Sequence, residues 1–156
     1  MHKSGFVNII GNPNVGKSTL MNALVGEKLS IVTAKAQTTR HRIMGIVNGD
    51  NWQIVYSDTP GILKPHYKLQ ESMMEFVDIA IGDADIIIYV TDVVEKKDKN
   101  VSYIEKLNRL ECPVIVVLNK IDLSTQEKVM ETMAQWKELL PNAEIIPVSA
   151  TETFNL

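Results

Sequence analysis

The octapeptide Gly11-Asn12-Pro13-Asn14-Val15-Gly16-Lys17-Ser18 constrains this chain more than any other stretch. It sets a glycine, four residues and then Gly-Lys-Ser between an apolar run, Phe6 to Ile10, and a helical pattern in which Leu20, Met21 and Leu24 share a face. A strand, a glycine-rich turn and a helix in that order make a loop that wraps an anion. The glycines let consecutive backbone N–H groups turn inward around a phosphate. The helix opening near Lys17 aims the positive end of its dipole at the same point. Asn12, Asn14, Val15, Gly16, Lys17, Ser18 and Thr19 are therefore the candidate phosphate-binding residues. Lys17 adds a point charge for β- and γ-phosphates and is a candidate catalytic residue. The Ser18 hydroxyl is a candidate Mg²⁺ ligand.

The rest of the chain alternates short apolar runs with amphipathic segments. Ile54 to Tyr56, Ile86 to Val90, Val114 to Leu118 and Ile145 to Val148 are apolar on both faces, as buried parallel strands are. Pro147 lies in the last run and predicts an edge strand. Helical stripes run through Leu69, Met73, Phe76, Val77 and Ala80, through Val101, Ile104 and Leu107, and through Val129, Met133, Trp136 and Leu140. Gly26 is the expected stop of the first helix. Asn48-Gly49-Asp50-Asn51, between Ile43 to Val47 and Gln53 to Tyr56, predicts a hairpin and so one antiparallel strand. The expected fold class is α/β. It is a three-layer P-loop NTPase sandwich with a mostly parallel sheet, helices on both faces and ligands at the carboxyl ends of the strands.

Composition narrows the function classes. At 156 residues, with 45% hydrophobic and 22% charged residues, the chain suits one domain with a substantial core. A net charge of −3 excludes a strongly basic nucleic-acid module as the whole account, though it leaves room for a local patch at Lys35, Arg40, His41 and Arg42. Cys112 is the single cysteine, which excludes an internal disulfide and a Cys-based zinc site, and it reads as a small buried residue. His2 and His66 have no metal-site spacing. The apolar runs are strand-sized, which predicts no transmembrane helix, and the lone cysteine fits a reducing cytosol, so a cytoplasmic chain is expected.

Two further motifs sit at strand ends. Asp58-Thr59-Pro60-Gly61 places an acid at the end of a buried strand, suited to holding Mg²⁺ through water. Gly61 lets the backbone approach a γ-phosphate and turn away. Asn119-Lys120-Ile121-Asp122 follows another strand. A carboxylate there accepts from guanine N1–H and N2–H₂, a donor pair that adenine lacks. Ser149-Ala150-Thr151 ends the next strand with residues small enough for a backbone N–H to reach guanine O6.

These elements, in this order, resemble a translation-factor-related GTPase domain. Lys35-Ala36-Gln37-Thr38-Thr39-Arg40-His41-Arg42-Ile43, taken with Gly11-Asn12-Pro13-Asn14 and Ser57-Asp58-Thr59-Pro60-Gly61, narrows the resemblance to the Era family of bacterial GTPases, in the TrmE-Era-EngA group. The resemblance implies GTP hydrolysis to GDP and phosphate with Mg²⁺. It implies Thr39 as the switch I threonine that closes on Mg²⁺ and the γ-phosphate, with Thr38 second, and Gly61 as the start of switch II. It implies Asn119, Lys120, Asp122, Ser149, Ala150 and Thr151 as the guanine pocket. In some related GTPases an asparagine at the position of Asn14 holds K⁺ beside the phosphates; the alternative is a residue that only shapes the loop. Ile62 stands where Ras-type enzymes carry the water-orienting glutamine, so that chemistry is closed and turnover should be slow.

Family members bind the 3′ end of 16S rRNA on the 30S subunit through a C-terminal KH domain, and no GXXG loop of that kind occurs in this sequence. Residues 1–156 thus read as a GTPase domain cut before its last helix, because eight residues follow Val148. Small-subunit assembly is the implied role. A parent protein peripheral at the inner membrane, and a monomeric domain, are the accompanying expectations. The alternatives are a nucleotide switch with negligible catalysis in isolation, and a tRNA-modification or 50S-assembly GTPase.

Overall fold

The computed structural model describes residues 3–12, 15–26, 43–59, 74–75, 77–79, 81–93 and 101–149. Six strands form one sheet: β1 (Lys3–Gly11), β2 (Ile43–Asn48), β3 (Trp52–Asp58), β4 (Ile86–Asp92), β5 (Val114–Asn119) and β6 (Glu144–Pro147). Their order across the sheet is β2-β3-β1-β4-β5-β6. Every neighbouring pair is parallel except β2 with β3, whose register runs from Ile43 opposite Asp58 to Asn48 opposite Gln53. The hairpin is tighter than the sequence suggested, because Asn48 is itself paired and the Gly49 N–H donates to the Trp52 carbonyl at 2.9 Å.

Three helices are complete among the described residues: α1 (Lys17–Val25), α2 (Val101–Asn108) and α3 (Gln126–Leu139). Further helical turns occur at 74–75, 77–79 and 81–82. Gly26 ends α1 in the left-handed region at φ 83°, where its N–H donates to the Asn22 carbonyl. Thr125 caps α3 by accepting from the Lys128 N–H, a contact worth about 1 kcal/mol.

The apolar runs of β4 and β5 read as they do because these strands are covered on both faces. Ile9, Ile88, Val90 and Val117 point toward α1, where they pack with Leu20 and Met21. Their neighbours Ile10, Ile87, Tyr89 and Val116 point the other way, onto Val77, Ile104, Leu107, Trp136 and Leu140. Side chains alternate with period two, so a strand buried on both faces leaves no polar position in its middle. Tyr89 and Trp136 stack with tilted rings 5.5 Å apart at the centre of the second layer.

Two expectations shift. β6 covers Glu144–Pro147 rather than Ile145 to Val148, and it does lie at an edge with Pro147 opposite Leu118. The Val148 N–H still donates to the Leu118 carbonyl at 2.8 Å, so the last residue belongs to the pairing while leaving the extended run. Cys112 is half-buried rather than buried, because it lies in the loop just before β5 and packs only against the rim of the core.

The consequence for function is positional. β1 ends at Gly11, β3 at Asp58, β4 at Asp92 and β5 at Asn119. Across the sheet these four residues line one edge in the order Asp58, Gly11, Asp92, Asn119. The described parts of the phosphate loop, of Asp58-Thr59 and of Asn119 to Asp122 lie at or beyond this carboxyl edge.

Candidate nucleotide site

The phosphate end is built on backbone. Gly11 has φ 154°, and a Cβ there would collide with the Val90 carbonyl oxygen of the neighbouring strand. Gly16 has φ 96° and precedes the first residue of α1. Both positions therefore require glycine, one for close approach to β4 and one for the left-handed turn into the helix. The first intrahelical bond runs from the Leu20 N–H to the Gly16 carbonyl. The N–H groups of Lys17, Ser18 and Thr19 precede it and point along the helix axis toward the loop, as anion-binding helix starts do.

Side chains complete that end. Lys17 is only 6% exposed, and its Nζ donates to the Asn12 carbonyl at 2.8 Å, which draws the ammonium across the loop. A buried ammonium beside inward-facing amides makes a strongly positive cradle. Ser18 Oγ donates to Asp58 Oδ2 at 2.7 Å. With its proton committed to a fully buried carboxylate, the hydroxyl turns its lone pairs elsewhere. Hydroxyl and carboxylate oxygens are the hard donors Mg²⁺ takes, and this pair fits the ion with Ser18 as direct ligand and Asp58 behind it. Among the described residues no three His, Cys, Asp or Glu side chains gather. Thr59 Oγ1 donates to the Ile9 carbonyl at 2.8 Å and so joins the end of β3 to β1.

The base end is assembled from three strand tips. Asn119 is 3% exposed, and its Nδ2 donates to the Val15 carbonyl at 2.9 Å, across 104 residues of sequence. The same amide lies where a Cβ of Gly16 would go, so the phosphate loop and the Asn119 side chain occupy complementary space. Lys120 adopts φ 60° and ψ 31°, the only non-glycine residue with positive φ among those described. Its Nζ pairs with Asp92 Oδ2 at 2.9 Å. Asp122 Oδ1 accepts from the buried Ser149 Oγ at 2.7 Å, and the Ile121 N–H donates to the Val148 carbonyl. The exposed Asp122 is thereby held at the pocket mouth with one oxygen committed and its carboxylate available to a base.

The structure thus brings together Asn12, Val15, Gly16, Lys17, Ser18, Thr19 and Asp58 at one end and Asn119, Lys120, Asp122 and Ser149 at the other. Asn14, Thr38, Thr39, Gly61, Ile62, Ala150 and Thr151, with the basic stretch from Lys35 to Arg42, lie outside the described residues. Asp92 is a participant that the sequence reading passed over, and Thr59, read only as part of its motif, has a role of its own in joining β3 to β1. Asp92 had the signal that singled out Asp58, an acid closing a buried strand, but no glycine or proline beside it to mark a motif.

Fold and site together define a P-loop GTPase domain: six strands, a phosphate loop on β1 and a guanine-type turn on β5 tied to that loop by one amide. A family model described as 50S ribosome-binding GTPase matches residues 6–120. GTPase Era of Clostridium botulinum is 48% identical over 157 aligned positions, which take in 100% of this chain and 53% of that protein. A crystal structure of Era in complex with MgGDPNP and nucleotides 1506–1542 of 16S ribosomal RNA superimposes with a TM-score of 0.91 at 40% identity, covering 99% of this chain and 54% of that one. A single-residue variant of Aquifex aeolicus Era bound to GDP·AlF4− superimposes with a TM-score of 0.90 at 39% identity, covering 98% and 53%. The chain belongs to this GTPase family, and within it is a GTPase domain of the Era type. It spans about half the length of the curated relatives it matches.

Proposed function

We propose that this domain binds GTP and GDP with Mg²⁺, hydrolyses GTP to GDP and phosphate, and serves as the switch of a longer protein acting in small-subunit assembly. The observation that carries the reading is the Asn119 to Val15 bond. It ties the phosphate loop directly to the strand end that leads into Lys120 and Asp122. Lys17 and the loop amides stabilise charge that develops on the γ-phosphate during in-line attack by water. Ser18 and Asp58 would hold Mg²⁺, which would supply positive charge to offset part of the charge on the phosphates. Thr39 and the backbone at Gly61 close on the γ-phosphate and release after hydrolysis. Ile62 orients no water, so intrinsic turnover is slow. Asn14 would hold K⁺, which would supply positive charge to the phosphates as an arginine finger does.

The Era structures support the nucleotide and RNA parts of this reading, since one holds MgGDPNP with a 16S rRNA fragment and the other GDP·AlF4−. In the longer protein a KH domain binds the 3′ end of 16S rRNA and receives the nucleotide state from this domain. We place that protein in the cytoplasm, with a peripheral fraction at the inner membrane, and this domain as a monomer.

The test is phosphate release from GTP under single-turnover conditions in potassium and in sodium, with nucleotide binding followed in parallel. Slow release, faster in potassium, is expected. Equal rates in the two salts would remove K⁺ from Asn14. Tight guanine binding without release in either salt would leave a binding switch in place of a hydrolase. Sedimentation of the longer protein with 50S rather than 30S subunits would move the role to the large subunit.

A further inference from the structure

We infer that Asp92, at the carboxyl end of β4, is a positioning residue for guanine recognition: it pins Lys120 and so sets the turn that presents Asp122. The inference rests on the guanine-binding reading of this site. Asp92 is 5% exposed, and a carboxylate that deep is stable only with a charged or strongly hydrogen-bonded partner. Lys120 supplies one at 2.9 Å, from a side chain about one-third exposed at the pocket rim. Register explains the meeting. Asp92 lies opposite Asn119 on adjacent parallel strands, so the next residue along β5 crosses the tip of β4.

The turn needs such a hold. Lys120 sits in the left-handed region at φ 60°, a conformation that a residue with a Cβ keeps only where its surroundings over-determine it. Asn119 on one side is fixed to Val15, and Asp122 on the other is fixed to Ser149. Between those anchors the 3₁₀ turn Ile121–Leu123 begins at Lys120, whose carbonyl accepts from the Leu123 N–H at 2.9 Å. The Asp92 carboxylate holds the side chain of that pivot. Lys120 is thereby kept along the strand tips, where a base would lie, instead of sweeping solvent. Asp92 thus brings the tip of β4 to the base end beside those of β5 and β6.

The experiment is a double-mutant cycle on nucleotide release. Loss of N-methylanthraniloyl-GDP, chased with excess GDP, is timed for the unaltered chain, Asp92→Ala, Lys120→Ala and the double variant. Each single change is expected to speed release about tenfold, and the double variant no more than either single one. Asp92→Asn keeps an acceptor oxygen in the same shape and is expected to restore release to within about threefold of the unaltered rate. Asp92→Ser, which removes the carboxylate but leaves a polar group, completes the cycle with Lys120→Ala should the alanine variant not fold. A role in stability alone would give additive effects, because the loss at Asp92 would then be indifferent to Lys120. Additive effects, or release at the unaltered rate from Asp92→Ala, overturn the inference and leave the guanine-binding reading standing. An unaltered chain that fails to retain the labelled GDP overturns both.

Discussion

The two ends of the nucleotide site are built on different principles. At the phosphate end, Gly11, Gly16 and the start of α1 shape backbone into a cradle, and Lys17 closes it on the Asn12 carbonyl five residues away. At the base end, no segment does the work alone. Asn119 reaches Val15, Lys120 reaches Asp92 and Asp122 reaches Ser149, across 104, 28 and 27 residues. A loop whose conformation is written in local glycines should fail by losing charge or sterics at one residue. A pocket tied by side chains between strand tips should fail by degrees, one tie at a time.

Breaking that comparison at its strong end gives the largest effect. Lys17→Ala removes the ammonium from the cradle, and we expect catalysis to fall ~10³-fold, the scale for deleting one preorganised charge donor. Single-turnover phosphate release measures it, and a loss under tenfold would mean that the amides suffice. At the base end, Asp122→Asn exchanges an acceptor for a donor. Preference should move from GDP toward xanthosine diphosphate by ~100-fold, since a site built to pair with N2–H₂ rejects a base lacking it. Competition binding measures it, and unchanged selectivity would take Asp122 out of base recognition.

Asn119→Ala tests whether the two ends are one unit. It removes the bond to Val15, and affinity for GDP and for inorganic pyrophosphate should both drop, the former by about tenfold. A loss confined to GDP would show two independent half-sites. The smallest effect belongs to a residue remote from both ends. Burial is the main force that raises the Cys112 pKa; Asp85 raises it further, against a hydrogen bond to its own backbone that lowers it. A raised thiol pKa means that folding favours the neutral form. This stabilisation is full below the ordinary thiol value and fades as pH rises through the higher folded one. Thermal midpoints should therefore decline above ~pH 8.5, less steeply in Cys112→Ala, with nucleotide affinity unaffected. Tyr56, also raised by burial, keeps its own share of the decline in both proteins.

Much of this molecule was legible in one dimension because its signals are short. The phosphate loop, the Asn-Gly hairpin and the helix stripes each rest on residues within one or two turns of one another. Sterics, backbone freedom and periodicity act at that range. The edge placement of β6 followed from the missing N–H of Pro147 alone. Asn119 and Asp122 were legible as types at a spacing, but their ties to Val15 and Ser149 were not. Thr39 rests on family resemblance alone and Gly61, Ala150 and Thr151 on residue type and resemblance; all four lie outside the described residues.

Sequence by itself determined the class of chemistry here: an octapeptide that can only wrap an anion, and strand ends furnished with Asp58, Asn119 and Asp122. The tertiary structure decided which of those ends become neighbours. Placing β4 between β1 and β5 brings Val90 against Gly11 and Asp92 against Lys120. That order is settled by how crossovers pack helices onto both faces of one sheet, an arrangement governed by the burial of whole layers rather than by any local run of residues.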